Sequence, residues 1–324
     1  MKITSRNLAA GLLSASFVHA GPAIAQNYPV KTIRVIVPYA PGGSTDVVMR
    51  ILAPRMMELL GQQVVVENRP GGSSTIGLDV AAKAPPDGYT LGVANITFGA
   101  NPSLFKKMPF DTEKDFVPVS LVSIVTLVLT VHPSVPARSV KELIAVAKSR
   151  PGSLNYGSAG NASANHLATE RFNYMTGTKM VHVPYKGGGP AVISLVGGET
   201  ALMFATIPSA IQHFQTGRLI PLGVSSLQRN AALPDVPSIN EAGVPGYEAI
   251  EWNGVVVAAG TPQAVVSRLH QAIAKSLSIP EVKERILGLG ADPVGSSPEE
   301  FAAFIKKEIA TWSKVIKEVG ITIE

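Results

Sequence analysis

One short word occurs twice in this chain. Val37 to Gly43 reads VPYAPGG, and Val183 to Gly189 reads VPYKGGG, 146 positions further on. In each copy an apolar run rich in β-branched residues (Ile33 to Val37; Met180 to Val183) ends in a proline-aromatic stop. A glycine turn and a segment with helical spacing follow. A strand that hands over to a helix in this way leaves backbone N–H groups without intrahelical partners, at the positive end of the helix dipole. Such a turn is a ready anion site, and its glycines let the backbone approach a ligand with no Cβ in the way. Two of them, one in each half, constrain the chain to two strand-and-helix lobes that grip one small anion.

A length of 324 residues exceeds the usual size of one domain, so two domains are expected. The low charged fraction of 16%, with 30 Gly and 25 Pro, points to a compact α/β protein with many tight turns. Residues 1–25 have the form of a secretory signal peptide. Lys2 and Arg6 form its positive head, Leu8 to Val18 its apolar stretch, and Ala23-Ile24-Ala25 its cleavage site, with Ala20 as a second candidate. The apolar stretch is too short to span a bilayer comfortably, and with no cysteine after it a lipid anchor there is excluded. Export to a periplasm-like space and release of a soluble protein, expected to be a monomer, follow from this reading. Removing residues 1–25 leaves 26 Lys and Arg against 23 Asp and Glu, a formal charge of +3. No cluster of basic residues with interleaved aromatics stands out, which argues against nucleic acid as a partner. The absence of cysteine removes disulfides, thiolate chemistry and cysteine-ligated metals together.

Strand-like and helix-like segments alternate, which argues for parallel-rich sheets covered by helices. Strands are expected at Thr32 to Pro38, Val64 to Glu67 and Thr90 to Ala94, with helices from Thr45 to Leu59 and Ile76 to Lys83. Val117 to Val131 is a hydrophobic stretch and is read as a strand crossing between lobes. The alternation restarts with helices at Val140 to Lys148, Ala164 to Met175, Pro190 to Val196 and Ser209 to Gln215. Strands at Leu154 to Tyr156, around Met180, and at Ala201 to Phe204 lie between them. Val255 to Ala259 is read as the crossing back. Residues 26–124 and 255–324 then form one lobe and 125–254 the other. Phe301, Phe304, Ile305, Ile309, Trp312, Val315, Ile316 and Val319 recur at steps of three and four, one face of a C-terminal amphipathic helix. Ser297-Pro298-Glu299-Glu300 supplies its cap, first-turn proline and dipole-favoured acids.

Three segments carry candidate chemistry. The first turn continues as Pro41, Gly42, Gly43, Ser44, Thr45 and Asp46, with Ser44 as the expected N-cap. Asp46 suits a helix start but would repel an anion, so it is expected to cap its own helix or to orient a water. The second turn holds Tyr185, Lys186 and Gly187, Lys186 being the one cation within either turn. The third runs from Tyr156 through Ser158, Ala159, Gly160, Asn161 and Ser163, with His166 one turn into the following helix. Ser158 and His166 raise the question of a nucleophile, but no G-x-S-x-G elbow and no convincing acid partner accompany them. His166 is read as a structural hydrogen-bonder or a cleft-lining residue. There is no phosphate-binding or dinucleotide word, and the six histidines lack metal-ligand spacing, so neither cofactor nor metal is expected.

Taken together, these words resemble a known family, the extracytoplasmic solute-binding receptors of tripartite tricarboxylate transporters, also called TctC-like or Bug receptors. The stretches that carry the resemblance are VPYAPGGSTD from Val37, VVVENRPGG from Val64, PPDGYTL from Pro85, NPSLF from Asn101, VPYKGGGPA from Val183, LPDVPSINEAGVPGYE from Leu233 and AAGTP from Ala258. The resemblance implies a two-lobed periplasmic binding protein (type II, Venus flytrap) that closes on a small organic carboxylate. It implies one carboxylate held by backbone groups and waters around Pro41 to Asp46, Ile96 and Thr97. On the second lobe it implies Ser158 to Ser163, His166, Tyr185 to Gly187, and Ala205-Thr206. Many relatives carry Asp-Asn at that last position, so the departure argues against an ammonium-bearing ligand and for a di- or tricarboxylate or an aromatic acid. The implied partners are membrane transporter subunits of the tripartite tricarboxylate type. The alternative is a ligand sensor of the same fold presenting its closed state to a signalling protein. A secreted hydrolase is the remaining rival, for which Ser158→Ala should abolish turnover.

Overall fold

The computed structural model describes residues 28–321. The expected signal peptide lies outside the described residues. The first half alternates as expected: β1 (Ile33–Val37), α1 (Ser44–Leu60), β2 (Val64–Asn68), α2 (Thr75–Ala82), β3 (Thr90–Ala94) and α3 (Ile96–Leu104). A 16-residue strand, β4 (Phe116–Val131), follows. The second half continues with α4 (Val140–Ser149), β5 (Asn155–Ser158), α5 (Ala164–Thr176), β6 (Val181–Pro184), α6 (Gly188–Val196), β7 (Leu202–Thr206), α7 (Ile207–Gln215) and β8 (Ile220–Val224). The chain returns through β9 (Ile250–Ala258) and closes with α8 (Gln263–Ser278), α9 (Pro280–Leu287), β10 (Ala291–Pro293) and α10 (Pro298–Val319).

The strands form one curled path in the order β2-β1-β3-β9-β4-β7-β5-β6, with β10 and β8 also paired to β4. The outer strands β2-β1-β3 are parallel, as are β7-β5-β6. The strands that cross the middle are antiparallel to their neighbours. β4 joins the two parts: Phe116 to Thr126 pair with β9, and Leu127 to Val131 pair with β7. The change of partner at Thr126/Leu127 is what splits one sheet into two lobes.

Three cores hold the lobes. One packs Val48, Met49 and Leu52 of α1, with Val266 and Leu269 of α8, on Val35, Val255 and Val257. The opposite face of β9 contributes Trp252 and Val256 to a second core with Phe98, Phe301 and Trp312, which runs on through Leu127 and Leu129 to Phe172, Phe204 and Tyr247. The third lies under α6 and α7, around Val128, Leu195 and Ile207. The alternation along β9 is the period-2 rule for strands. Gly254 is where α10 comes closest: a Cβ there would overlap the Phe301 ring. α10 opens with a full capping box between Ser297 and Glu300, as its sequence implies.

Several elements depart from the sequence reading, among them the short strand β10, which has no counterpart in it. α3 has no counterpart in it, because Gly99 and Pro102 interrupt the helical pattern and tertiary packing has to hold the helix. β8 has none either, with Pro221 inside a short strand. β9 begins at Ile250 rather than Val255, since Glu251, Asn253 and Gly254 break the apolar run while the ladder to β4 continues.

Candidate functional site

The carboxyl ends of β1 and β3 lie on one side of the middle strands, those of β5, β6 and β7 on the other. β9 runs antiparallel to β3 with Ala94 opposite Gly254, so Glu251 lies just beyond the end of β3. In β4, Val125 faces Glu251 and, two residues on, Leu127 faces Thr206 at the end of β7. Both sets of strand ends therefore converge on the stretch of β4 where the sheet changes partners. At such a crevice, outside the strand carboxyl ends, ligands of α/β proteins are held.

On the first lobe, α1 starts at Ser44 with Gly43 at the cap position and no side-chain cap. Ser44 is therefore not the N-cap the sequence suggested: its hydroxyl donates to Glu251 Oε1 at 2.9 Å instead. Pro41 and Gly42 are exposed, Gly43 and Ser44 half-buried, Thr45 and Asp46 buried. Gly42 sits at φ +86, left-handed backbone that favours glycine, and its N–H donates to Asp46 Oδ2 at 2.9 Å. Arg50 Nε donates to both Asp46 oxygens at 3.0 Å, and Asn68 Nδ2 to one at 2.9 Å. Burial pushes Asp46 up, but the bonds from Arg50, Gly42 and Asn68 outweigh it and hold the carboxyl below its usual range. Asp46 thus folds the turn back onto its own helix, and Arg50 cancels its charge.

Ile96 and Thr97 open α3, both buried. Asn95 caps this helix, accepting from the Thr97 N–H. Tyr39, from the first repeated word, donates to Asn95 Oδ1 at 3.0 Å, and its hydroxyl lies 3.0 Å from Thr97 Oγ1. Ser74 Oγ lies 2.5 Å from the same Thr97 oxygen. Burial pushes the Tyr39 phenol up to about 12, so it stays a neutral donor. The short Gly72–Ser74 helical turn reaches across to the other lobe, where Ser73 Oγ donates to the Asn161 carbonyl at 3.1 Å.

On the second lobe, Ser158 is fully buried at the end of β5. Its Oγ lies 2.6 Å from His182 Nε2 on β6, donates to the Gly160 carbonyl and accepts the Gly160 N–H. The nearest imidazole to Ser158 is therefore that of His182, a residue the sequence did not single out, and not His166. His166 stacks on His182 with ring centroids 4.0 Å apart, and its Nδ1 accepts the Ala162 N–H. Burial, then the neighbouring His182, pushes His166 down to about 3; burial alone pushes His182 down to about 4. Both rings are neutral at physiological pH. Ser163 caps α5. Ala159 and Gly160 are half-buried and Asn161 is exposed.

The second repeated word folds as its sequence suggests: Tyr185 donates its N–H to the Ser158 carbonyl, and Gly187 caps α6 with no side chain involved. Around Gly187 there is open space on the Cβ side. Lys186 is exposed and has no ion-pair partner among the described residues. Ala205 is buried in the third core, and Thr206 caps the start of α7, its hydroxyl donating to Ser209. Tyr39, Ser74, Asn95, His182 and Glu251 line the same strand ends, although only Tyr39 lies inside a repeated word. Among the described residues, no three His, Cys, Asp or Glu are placed to hold a metal, and no helix is long and apolar enough to cross a membrane.

A curled α/β sheet split in two, with helix N-termini facing a shared crevice, is the architecture of a two-lobed periplasmic binding protein. Residues 48–321 match the tripartite tricarboxylate transporter family receptor (TctC), and the chain belongs to that family. It is 37% identical to the protein BugT of Bordetella pertussis over the full length of both chains. Its fold superposes on Rpa4515 of R. palustris, solved with adipate, with a TM-score of 0.87, 36% identity, and coverage of 91% of this chain and 99% of that one. For MatC of Rhodopseudomonas palustris, solved with bound malate, the TM-score is 0.83 and the identity 32%, covering 89% of this chain and 100% of that one. The family consists of periplasmic solute-binding receptors rather than enzymes, so the Ser158–His182 contact is structural and the hydrolase reading is set aside.

Proposed function

We propose that this receptor captures a small organic carboxylate between its two lobes and delivers it to a tripartite tricarboxylate-type membrane transporter. The lobes would be residues 26–124 with 255–324, and residues 125–254, and residues 1–25 would direct export. The observation that carries the reading is the convergence of five helix starts, at Ser44, Ile96, Ala164, Gly188 and Ile207, on the strand ends beside the β4 crossing. A carboxylate held there exchanges its hydration for N–H groups and hydroxyls, each charge-assisted bond netting roughly 1.5–3 kcal/mol. A few such bonds reach micromolar affinity, about −8 kcal/mol. Contacts to both lobes are satisfied together only when the cleft is closed, so the ligand shifts the hinge equilibrium.

Ligands in two solved relatives, adipate and malate, favour a carboxylate. The expected ligand-facing groups are consistent with this: they are mainly backbone, hydroxyl and imidazole, with the cation of Lys186, and Asp46 is neutralised by Arg50, leaving the Glu251 carboxylate as the group an anion must contend with. The test is a thermal-shift screen of the mature protein, refolded to remove carried-over ligand, against adipate, malate, citrate, benzoate and aspartate. Binding to the folded state alone raises the melting temperature by mass action. A shift confined to acids supports the reading; a shift with aspartate alone, or with none of them, counts against it.

A further inference from the structure

At the meeting point of the strand ends, Glu251 is a carboxylate with no ion-pair partner among the described residues. It lies on β9 opposite Val125, which on its other side faces Ala291 of β10. These three residues share a face of the sheet, since residues directly opposite in antiparallel strands point the same way. That face is the one covered by α1, because Val125 and Ala291 belong to the core with Val48 and Met49. Glu251 is 8% exposed, and its Oε1 accepts a hydrogen bond from the Ser44 hydroxyl at 2.9 Å. A carboxylate thus already occupies the first turn of α1, beside the N–H groups to which an anion would dock.

The charged and titratable groups around it are few. On α1, Asp46 is paired with Arg50 and turned back to Gly42 and Asn68. On the turn after β1 there is the Tyr39 phenol, whose raised pKa owes a part to the Glu251 charge. β4 and β10 present Val125 and Ala291, while Asp292, one residue on, points to the opposite face. α9 turns Val282 and Ile286 inward and leaves Lys283, Glu284 and Arg285 exposed. Among the described residues, none of these elements places a cation beside Glu251 to offset a second negative charge there; Lys186 belongs to the turn after β6, on the other lobe. Burial already raises Glu251 above its usual range, and two carboxylates sharing one low-dielectric site do not both stay ionised.

We propose that Glu251 is a ligand-linked proton site of the cleft that takes up one proton from solvent as an anionic ligand docks at the start of α1, so that carboxylate and proton are bound together. The inference rests on the carboxylate-receptor reading. The proton adds to a Glu251 oxygen, no covalent bond breaks, and the resulting O–H donates to the ligand carboxylate. A neutral ligand does not drive the step, and an ammonium group would pair with the ionised carboxylate and leave it unprotonated, so proton uptake marks the docking of an acid.

Isothermal titration with malate, adipate, citrate and benzoate, between pH 5.5 and 7.5 in two buffers of different ionisation enthalpy, tests this on wild type and Glu251→Gln. For the acid that binds, wild-type affinity should fall as pH rises, by up to about tenfold per unit, the limit for one proton. The binding heat should differ between buffers by an amount corresponding to proton uptake. Glu251→Gln, which keeps the acceptor for Ser44, should lose both effects and bind at pH 7.5 at least as tightly as wild type. The ligand's own ionisation is common to both proteins and cancels in the comparison. A buffer-independent heat in wild type overturns the proposal with no variant needed. Retention of the pH slope by Glu251→Gln, or weaker binding by it at pH 7.5, overturns it too, the latter meaning an ionised acceptor. If none of the acids binds at any pH, the receptor reading fails and the proton linkage falls with it.

Discussion

Acidification should destabilise this protein through its desolvated imidazoles, His166 foremost. His166 is 6% exposed, its Nδ1 accepts the Ala162 N–H, and its face stacks on His182. Protonation would bury a charge, set it against a second imidazole and place one N–H against another. The structure accordingly holds the ring neutral, its pKa moved from 6.5 to about 3 by burial and then by His182. The unfolded chain binds this proton first. The contribution is thus fully present above pH 6.5 and is lost as pH falls from there toward the folded value of about 3. At pH 4.5 the loss is about 2.7 kcal/mol, from about 1.36 kcal/mol per unit. Urea unfolding of wild type and His166→Gln at about pH 7 and about pH 4.5 isolates the effect. Raised carboxyls such as Glu251 and Glu308 shift stability the opposite way on acidification, but equally in both proteins. Wild type should lose about 2–3 kcal/mol more than the variant over this interval. Equal losses would refute the reasoning, as would an imidazole NMR titration placing His166 near its unperturbed range.

Gly254→Ala should drive a methyl group into the Phe301 ring and destabilise the fold by about 1–3 kcal/mol or more, measured by the denaturation midpoint. Ser297→Ala removes one arm of the α10 capping box and should cost about 0.5–2 kcal/mol, with ligand affinity unchanged. Lys186→Ala should weaken carboxylate binding severalfold at low salt, with the difference shrinking as salt rises; unchanged affinity and salt dependence would remove Lys186 from the site. Both tryptophans donate to the buried Glu308, Trp252 from the crossing strand β9 and Trp312 from α10. Intrinsic fluorescence should therefore change on ligand binding, and an unchanged spectrum at saturation would show that closure leaves this joint undisturbed.

Much of the fold was legible because local patterns and tertiary packing agree. The repeated words fix both strand-to-helix turns: Gly42 and Gly187 adopt positive φ, and helices start at Ser44 and Gly188. The hydrophobic stretch from Val117 did identify the long strand β4, since a strand buried on both faces is rich in Val, Ile and Leu on both, here with only Pro118 and small hydroxyl residues between them. α3 was not legible, because Gly99 and Pro102 contradict its helical state and only the cap at Asn95 and packing against α10 hold it.

Sequence by itself determined the class of fold, the positions of the turns and the family, since these depend on short words and on periodicity along the chain. Tertiary structure alone decided which groups meet. Ser44 lies 207 positions from Glu251, His182 lies 24 from Ser158, and Ser73 lies 88 from Asn161. No local pattern encodes these distances. They arise because β9 returns antiparallel beside β3 and β4, carrying Glu251 to the start of α1, and because parallel pairing of β5 with β6 sets Tyr156 opposite His182. Burial then sets the charge states: the imidazoles stay neutral because the fold removes water from them, and Asp46 stays charged because its local partners Arg50 and Gly42 are joined by Asn68 from β2.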